Sequence, residues 1–260
     1  MSWWGKVVGG TFGFMLGGPL GALMGAAVGN YFDKGLNAVG LQNSLGVGAT
    51  ERVQSAFFTA TFSVMGYVAK SDGKVTSDEI ALANQVMDQM LLSKEQRKVA
   101  INLFNEGKKD EFPIHEVLAQ FKQEIFRRRN LVQMFLEIIA ATALADGKLD
   151  SKEQSILEEI AGDLSYSLAD FNALLQRLSG QAHFGAQVSV KEKLKAAYEM
   201  LGVDAGISDT EVKKAYRRLM NQHHPDKLVA KGLPEEMMTI ATQKTQDIKA
   251  AYELIKAERA

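Results

Sequence analysis

From Val7 to Phe32 the chain runs for twenty-six residues without a charged side chain, bounded by Lys6 on one side and by Asp33 and Lys34 on the other. A helix of that length extends about 39 Å at about 1.5 Å per residue. A bilayer's hydrocarbon core is roughly 30 Å thick and needs roughly 20 residues, so the run can span it with some tilt. Trp3 and Trp4 at one end, with Tyr31 and Phe32 at the other, suit the two membrane interfaces. Gly9, Gly13, Gly17, Gly21, Gly25 and Gly29 recur at every fourth position. On a helix they form one slowly drifting stripe without side chains, along which two backbones can approach closely. Residues 1–34 are therefore expected to be an anchor in the lipid bilayer that associates with a second copy of itself, with Pro19 kinking it midway. A cleaved signal peptide is the competing reading, given Ala26 and Ala27 near the end of the run. Its apolar stretch would be shorter and its start more basic. The flanking charges leave the orientation open.

The remainder reads as all-α. Residues 35–50 are glycine-rich and nearly uncharged, a linker. Residues 51–180 hold a single proline, Pro113, and show helical spacing throughout. Phe58, Phe62, Met65 and Val68 form one apolar stripe; Leu131, Phe135, Ile138, Ile139 and Thr142 form another. A net charge of −1 gives no global attraction to nucleic acid. The chain has no cysteine, which excludes disulfide scaffolds, cysteine zinc sites and thiol catalysis.

An internal repeat marks the middle domain. Asp72-Gly73-Lys74-Val75-Thr76-Ser77-Asp78-Glu79 is matched by Asp146-Gly147-Lys148-Leu149-Asp150-Ser151-Lys152-Glu153, an offset of 74 residues. Helix geometry accounts for each shared residue. Glycine closes one helix, Val75 or Leu149 turns inward, and Thr76 or Asp150 caps the next helix with Glu79 or Glu153 three positions on. The loop lacks the alternating acidic ligands of an EF-hand. This paired motif resembles the TerB-like helical family, which implies a pseudo-duplicated helical domain. Acidic residues in some members of that family are associated with divalent metals, so a metal-responsive envelope sensor is the alternative reading; no metal ligands are assigned to this chain.

After a second linker at 181–192, residues 193–260 carry the functional signature. A first helix over Lys191–Gly202 places Leu194, Tyr198 and Leu201 on one face. Ser208 or Asp209 can cap a second helix to about Gln222, with Val212, Ala215, Tyr216 and Leu219 on its apolar side. Lys213, Lys214, Arg217, Arg218 and Asn221 fall on the opposite side. Like charges at those spacings repel mildly, as expected of a face that meets an acidic surface. His224-Pro225-Asp226 follows at once, and proline ends the helix there. A third helix from about Glu235 to Ala257 offers Ile248, Ala251, Tyr252 and Ile255, and should pack antiparallel to the second.

Ala197-Tyr198-Glu199-Met200-Leu201-Gly202-Val203, Lys213–Leu219, His224-Pro225-Asp226-Lys227 and Ile248–Leu254 together resemble a J domain. With the glycine-rich span and the TerB-like middle, the chain resembles the bacterial membrane-anchored DnaJ-like co-chaperones of the DjlA family. The resemblance implies a single-pass inner-membrane protein, N-terminus periplasmic and bulk cytoplasmic, that dimerises through its span and works with a cytosolic Hsp70 (DnaK). Lys213, Lys214, Arg217, Arg218, Asn221, His224, Pro225, Asp226 and Lys227 would be its Hsp70-binding residues. It implies no catalysis, no cofactor and no nucleic-acid partner, and leaves the client proteins unnamed. Gln222 and His223 depart from the basic and aromatic residues usual before the tripeptide, which puts the strength of Hsp70 binding in doubt.

Overall fold

A computed structural model describes residues 17–29, 48–70, 77–144, 149, 151–185 and 189–259. Within them the chain is helical, with no strand. Helix α1 is Gly18–Gly29, α2 Ala49–Ala69, α3 Ser77–Gln89, α4 Lys94–Gly107, α5 Ile114–Glu124, α6 Arg129–Ala143, α7 Ser151–Asp163 and α8 Leu168–Gly185. The C-terminal part adds α9 Val190–Leu201, α10 Asp209–His223, α11 Pro225–Ala230, a 3-10 turn at Glu235–Met237 and α12 Met238–Arg259.

Helix α2 is the axis of the middle domain. It is hydrophobic on nearly every side and correspondingly buried, packing against α4, α5 and α6. Two of its hydroxyls bond back within the helix, Thr59 Oγ1 to the Ser55 carbonyl and Ser63 Oγ to the Thr59 carbonyl, each at 2.8 Å, whereas Ser55 Oγ and Thr61 Oγ1 are buried without a partner among the described residues. The stripes expected from spacing both point inward, and Phe58, Phe62, Phe135 and Ile139 are fully buried. One aromatic from each of three helices closes the centre, Phe57 of α2, Phe121 of α5 and Phe135 of α6, with centroids 4.6–6.1 Å apart. Where α2 crosses α4, Gly66 and Gly107 allow backbone-to-backbone contact.

Helix α1 lies on α4 and α5. Leu20, Leu23, Met24 and Ala27 are buried there, and Gln120 caps the helix by accepting from the Leu20 amide at 2.8 Å. Pro19, expected to kink the span midway, sits in the first turn of α1, where its missing N–H removes no helical hydrogen bond; the residues before Gly17 lie outside the described ones. No described helix is long and apolar enough to cross a membrane. Of the glycine repeat, Gly21 is buried, Gly25 is exposed with open space around its Cβ position, and Gly29 ends α1. Gly17 precedes the helix at φ +56°, while Gly9 and Gly13 lie outside the described residues. So do Asp72, Asp146 and the loops around them; Leu149 packs partly buried against the core, as an inward-turning residue should.

The C-terminal unit has its own core of Ala197, Leu201, Val212, Leu219, Ile248, Ala251 and Ile255. Tyr216 stacks on Tyr252 at 4.3 Å. Arg259 at the end of α12 bonds Asp209 at the start of α10 at 2.7 Å, so the two helices run antiparallel. The stretch expected as a second linker carries regular structure at both ends: residues 181–185 continue α8, and Ser189 caps α9 in a box with Glu192. Helices α8 and α9 pack closely, and a Cβ on Gly180 would come within 2.8 Å of the Met200 amide nitrogen. The two units also share core: Leu228, Leu233, Met237 and Ala241 are buried in the same cluster as the middle domain's aromatics.

Candidate functional site

Helix α10 begins at a capping box in which Ser208 Oγ accepts from the Glu211 amide at 3.3 Å and Glu211 accepts from the Ser208 amide at 3.0 Å. Those backbone and side-chain bonds hold the Glu211 carboxyl below its ordinary value. Val212, Ala215 and Leu219 bury one face. Lys213, Lys214, Arg217, Arg218 and Asn221 are all exposed on the other, and none of the four cations forms a salt bridge among the described residues. Burial of the apolar side thus turns a strip of positive charge free of salt bridges toward solvent.

The helix stops at His224, whose backbone (φ −60°, ψ 121°) leaves the helical region because Pro225 follows. Pro225 then opens a further turn, α11, from its first position. Where a bare turn is expected, a six-residue helix is found, with the Lys227 and Leu228 amides both donating to the His224 carbonyl at 3.1 Å. Asp226 and Lys227 are exposed at this corner, and Lys227 pairs with Asn221. His224 is half-buried; its Nδ1 is screened from solvent and has no hydrogen-bond partner. The fold therefore brings the basic strip and the tripeptide into one continuous exposed surface.

The neighbouring His223 behaves oppositely. It is buried, its Nδ1 lies 2.9 Å from the Leu219 carbonyl, and its Nε2 lies 2.9 and 3.1 Å from the two oxygens of Glu137 on α6. The same carboxylate takes Lys244 Nζ of α12 at 3.1 Å and Gln133 Nε2 at 3.0 Å. Burial opposes ionisation of Glu137 most strongly, but the charges of His223 and Lys244 and the bonds from His223 and Gln133 outweigh it. They hold the carboxyl far below the usual carboxylate range. In the sequence His223 stands out as a departure from the usual residue before the tripeptide, while Glu137 and Lys244 carry no expectation. The one available signal was a lone carboxylate inside the apolar run Phe135-Leu136-Glu137-Ile138-Ile139. No cluster of three or more metal-ligating side chains occurs among the described residues.

Family models agree with this layout. The co-chaperone DjlA transmembrane domain matches residues 1–43, the tellurite resistance protein TerB matches 58–176, and the DnaJ domain matches 196–260. The chain is 46% identical to the co-chaperone protein DjlA of Shewanella oneidensis, over all of this chain and 99% of that protein. It is 43% identical to the DjlA protein of Vibrio cholerae and 41% identical to that of Escherichia coli K12, each over all of this chain and 99% of the relative. No solved structure matches. With the anchor, middle and J-domain models in this order and such identity along whole chains, the protein belongs to the DjlA family of J-domain co-chaperones, which regulate an Hsp70 and catalyse no reaction themselves.

Proposed function

We propose that the chain, held at the bacterial inner membrane by residues 1–34 once α1 leaves its seat on α4 and α5, and with its bulk in the cytoplasm, recruits the cytosolic Hsp70 DnaK there and stimulates its ATPase. The observation that carries this reading is the cationic strip Lys213, Lys214, Arg217 and Arg218, free of salt bridges among the described residues, running directly into the corner His224-Pro225-Asp226, where Asp226 is exposed. Such a strip gives fast, salt-sensitive capture of an acidic surface. Asn221 and Lys227 border the corner and complete the contact. A partner can shift the chaperone toward hydrolysis only by binding that conformation better, which the rigid corner after the strip is placed to do. Cytosolic ATP sets the orientation. The four-residue glycine spacing from Gly9 to Gly29 supports self-association of the anchor.

Single-turnover hydrolysis of ATP by DnaK, titrated with the full chain, tests the function. Stimulation is expected. Arg217→Glu with Arg218→Glu should raise the half-saturating concentration about tenfold or more at low salt, with the gap narrowing as salt screens the surface. Absence of any stimulation by the wild-type chain overturns the reading.

A further inference from the structure

The tripeptide is suspended between two sets of contacts to the same neighbouring domain. Just before it, Asn130 of α6 donates to the Gln222 carbonyl at 3.1 Å, and Glu137 grips His223. Just after it, Leu228 and Leu233 are fully buried in the shared core. Gln54 of α2 donates to the Leu233 carbonyl at 3.5 Å, and Gln96 of α4 to Glu236 at 2.7 Å. Gly232, at φ +96°, lets the loop settle on Val53, since a Cβ there would come 2.7 Å from Val53 Cγ1. Glu137 also holds Lys244, so one carboxylate of the middle domain ties α10 to α12 at the end where the corner is made.

None of these contacts touches the cationic strip. His223 follows Leu219 by one helical turn and so shares the buried side of α10, opposite Arg217 and Arg218. The middle domain grips the back of the J domain and leaves its docking face open.

We propose that Glu137 is a positioning residue for His224-Pro225-Asp226, so that the ATPase-stimulating unit of this chain is the middle domain and the J domain together, not the J domain alone. This rests on the Hsp70 reading above. A supporting group holds a functional corner to a fraction of an ångström only while its own partners are fixed, and Glu137 is fixed by three side chains. Loosening it should therefore alter what the bound corner does and spare capture by the strip.

The experiment uses the full chain in liposomes, titrated into DnaK under single-turnover conditions, with hydrogen exchange read at the Lys227 and Leu228 amides. Glu137→Gln is expected to lower the maximal stimulated rate about fivefold or more, while the half-saturating concentration stays within about twofold. Exchange at the two amides should quicken, and Glu137→Asp should restore part of the rate. A role in overall folding alone would instead change melting and half-saturation together. If Glu137→Gln melts well below the wild type, Lys244→Met, which keeps the His223 contact, carries the same comparison. A folded variant with the wild-type maximal rate and unchanged exchange overturns the proposal. If the wild-type chain fails to stimulate DnaK, the Hsp70 reading falls, while amide exchange still decides whether Glu137 positions the corner.

Discussion

Gly107→Ala is expected to lower the stability of the middle domain by about 4 kcal/mol, enough to leave a substantial unfolded fraction at growth temperature. The size of the effect follows from what the new methyl group would meet. A Cβ at Gly107 would lie 2.7 Å from the Ser63 carbonyl carbon and 3.1 Å from the Tyr67 nitrogen, both backbone atoms of α2. The arrangement is reciprocal, because a Cβ at Gly66 would lie 2.8 Å from the Phe104 carbonyl carbon of α4. Added methyl groups usually cost about 1–3 kcal/mol when side chains can shift aside. Here no side chain can yield, so two whole helices must separate and loosen Leu103, which is fully buried beside the crossing. Gly162→Ala is the control. Its Cβ would have nothing within 4 Å, so helix propensity alone should stabilise α7 by up to about 1 kcal/mol. Thermal unfolding of both variants by circular dichroism checks the pair, and an unchanged midpoint for Gly107→Ala would show that α2 and α4 are not in backbone contact.

Those two glycines also show where the sequence stops being legible. Periodicity identified Phe58, Phe62 and Phe135 as core because burying an apolar stripe leaves a 3.6-residue signature in the chain itself. Ser208 was readable as a cap because its partner Glu211 is local. Gly66 and Gly107, by contrast, matter only because two segments about forty residues apart cross there, and nothing in either segment announces the crossing. Lys213, Arg217 and their neighbours were placed on the exposed face by the apolar residues opposite them. The grip of Glu137 on His223 and Lys244 could not be read, since it joins α6, α10 and α12 across what the sequence presents as two separate domains. A long-range ion pair has no period. His223, which departs from the common J-domain pattern, acquires a reason once the structure is seen, because its ring is held by Glu137 of the middle domain; Gln222 contributes only its backbone carbonyl there, and its side chain has no structural explanation.

His224→Gln is expected to abolish stimulation of DnaK while leaving the thermal midpoint of the chain unchanged. Nothing intramolecular is lost by the change. The His224 Nδ1 has no hydrogen-bond partner, and the carbonyl that anchors the Lys227 and Leu228 amides belongs to the backbone, which glutamine keeps. His224 itself stands beside the exposed Asp226 and the cationic strip, the surface proposed to meet the chaperone. The adjacent His223→Gln should behave in the reverse manner. It removes the ring that bridges Glu137 and the Leu219 carbonyl, and a buried hydrogen-bonding group left without one partner typically costs about 1–3 kcal/mol. The melting midpoint should therefore fall for His223→Gln. Two identical residues, one peptide bond apart, differ because the ring of His223 is held by Glu137 and the Leu219 carbonyl, whereas His224 Nδ1 bonds nothing among the described residues. Single-turnover hydrolysis and thermal melts on the two variants side by side decide the assignment; full stimulation by His224→Gln would remove the corner from the mechanism.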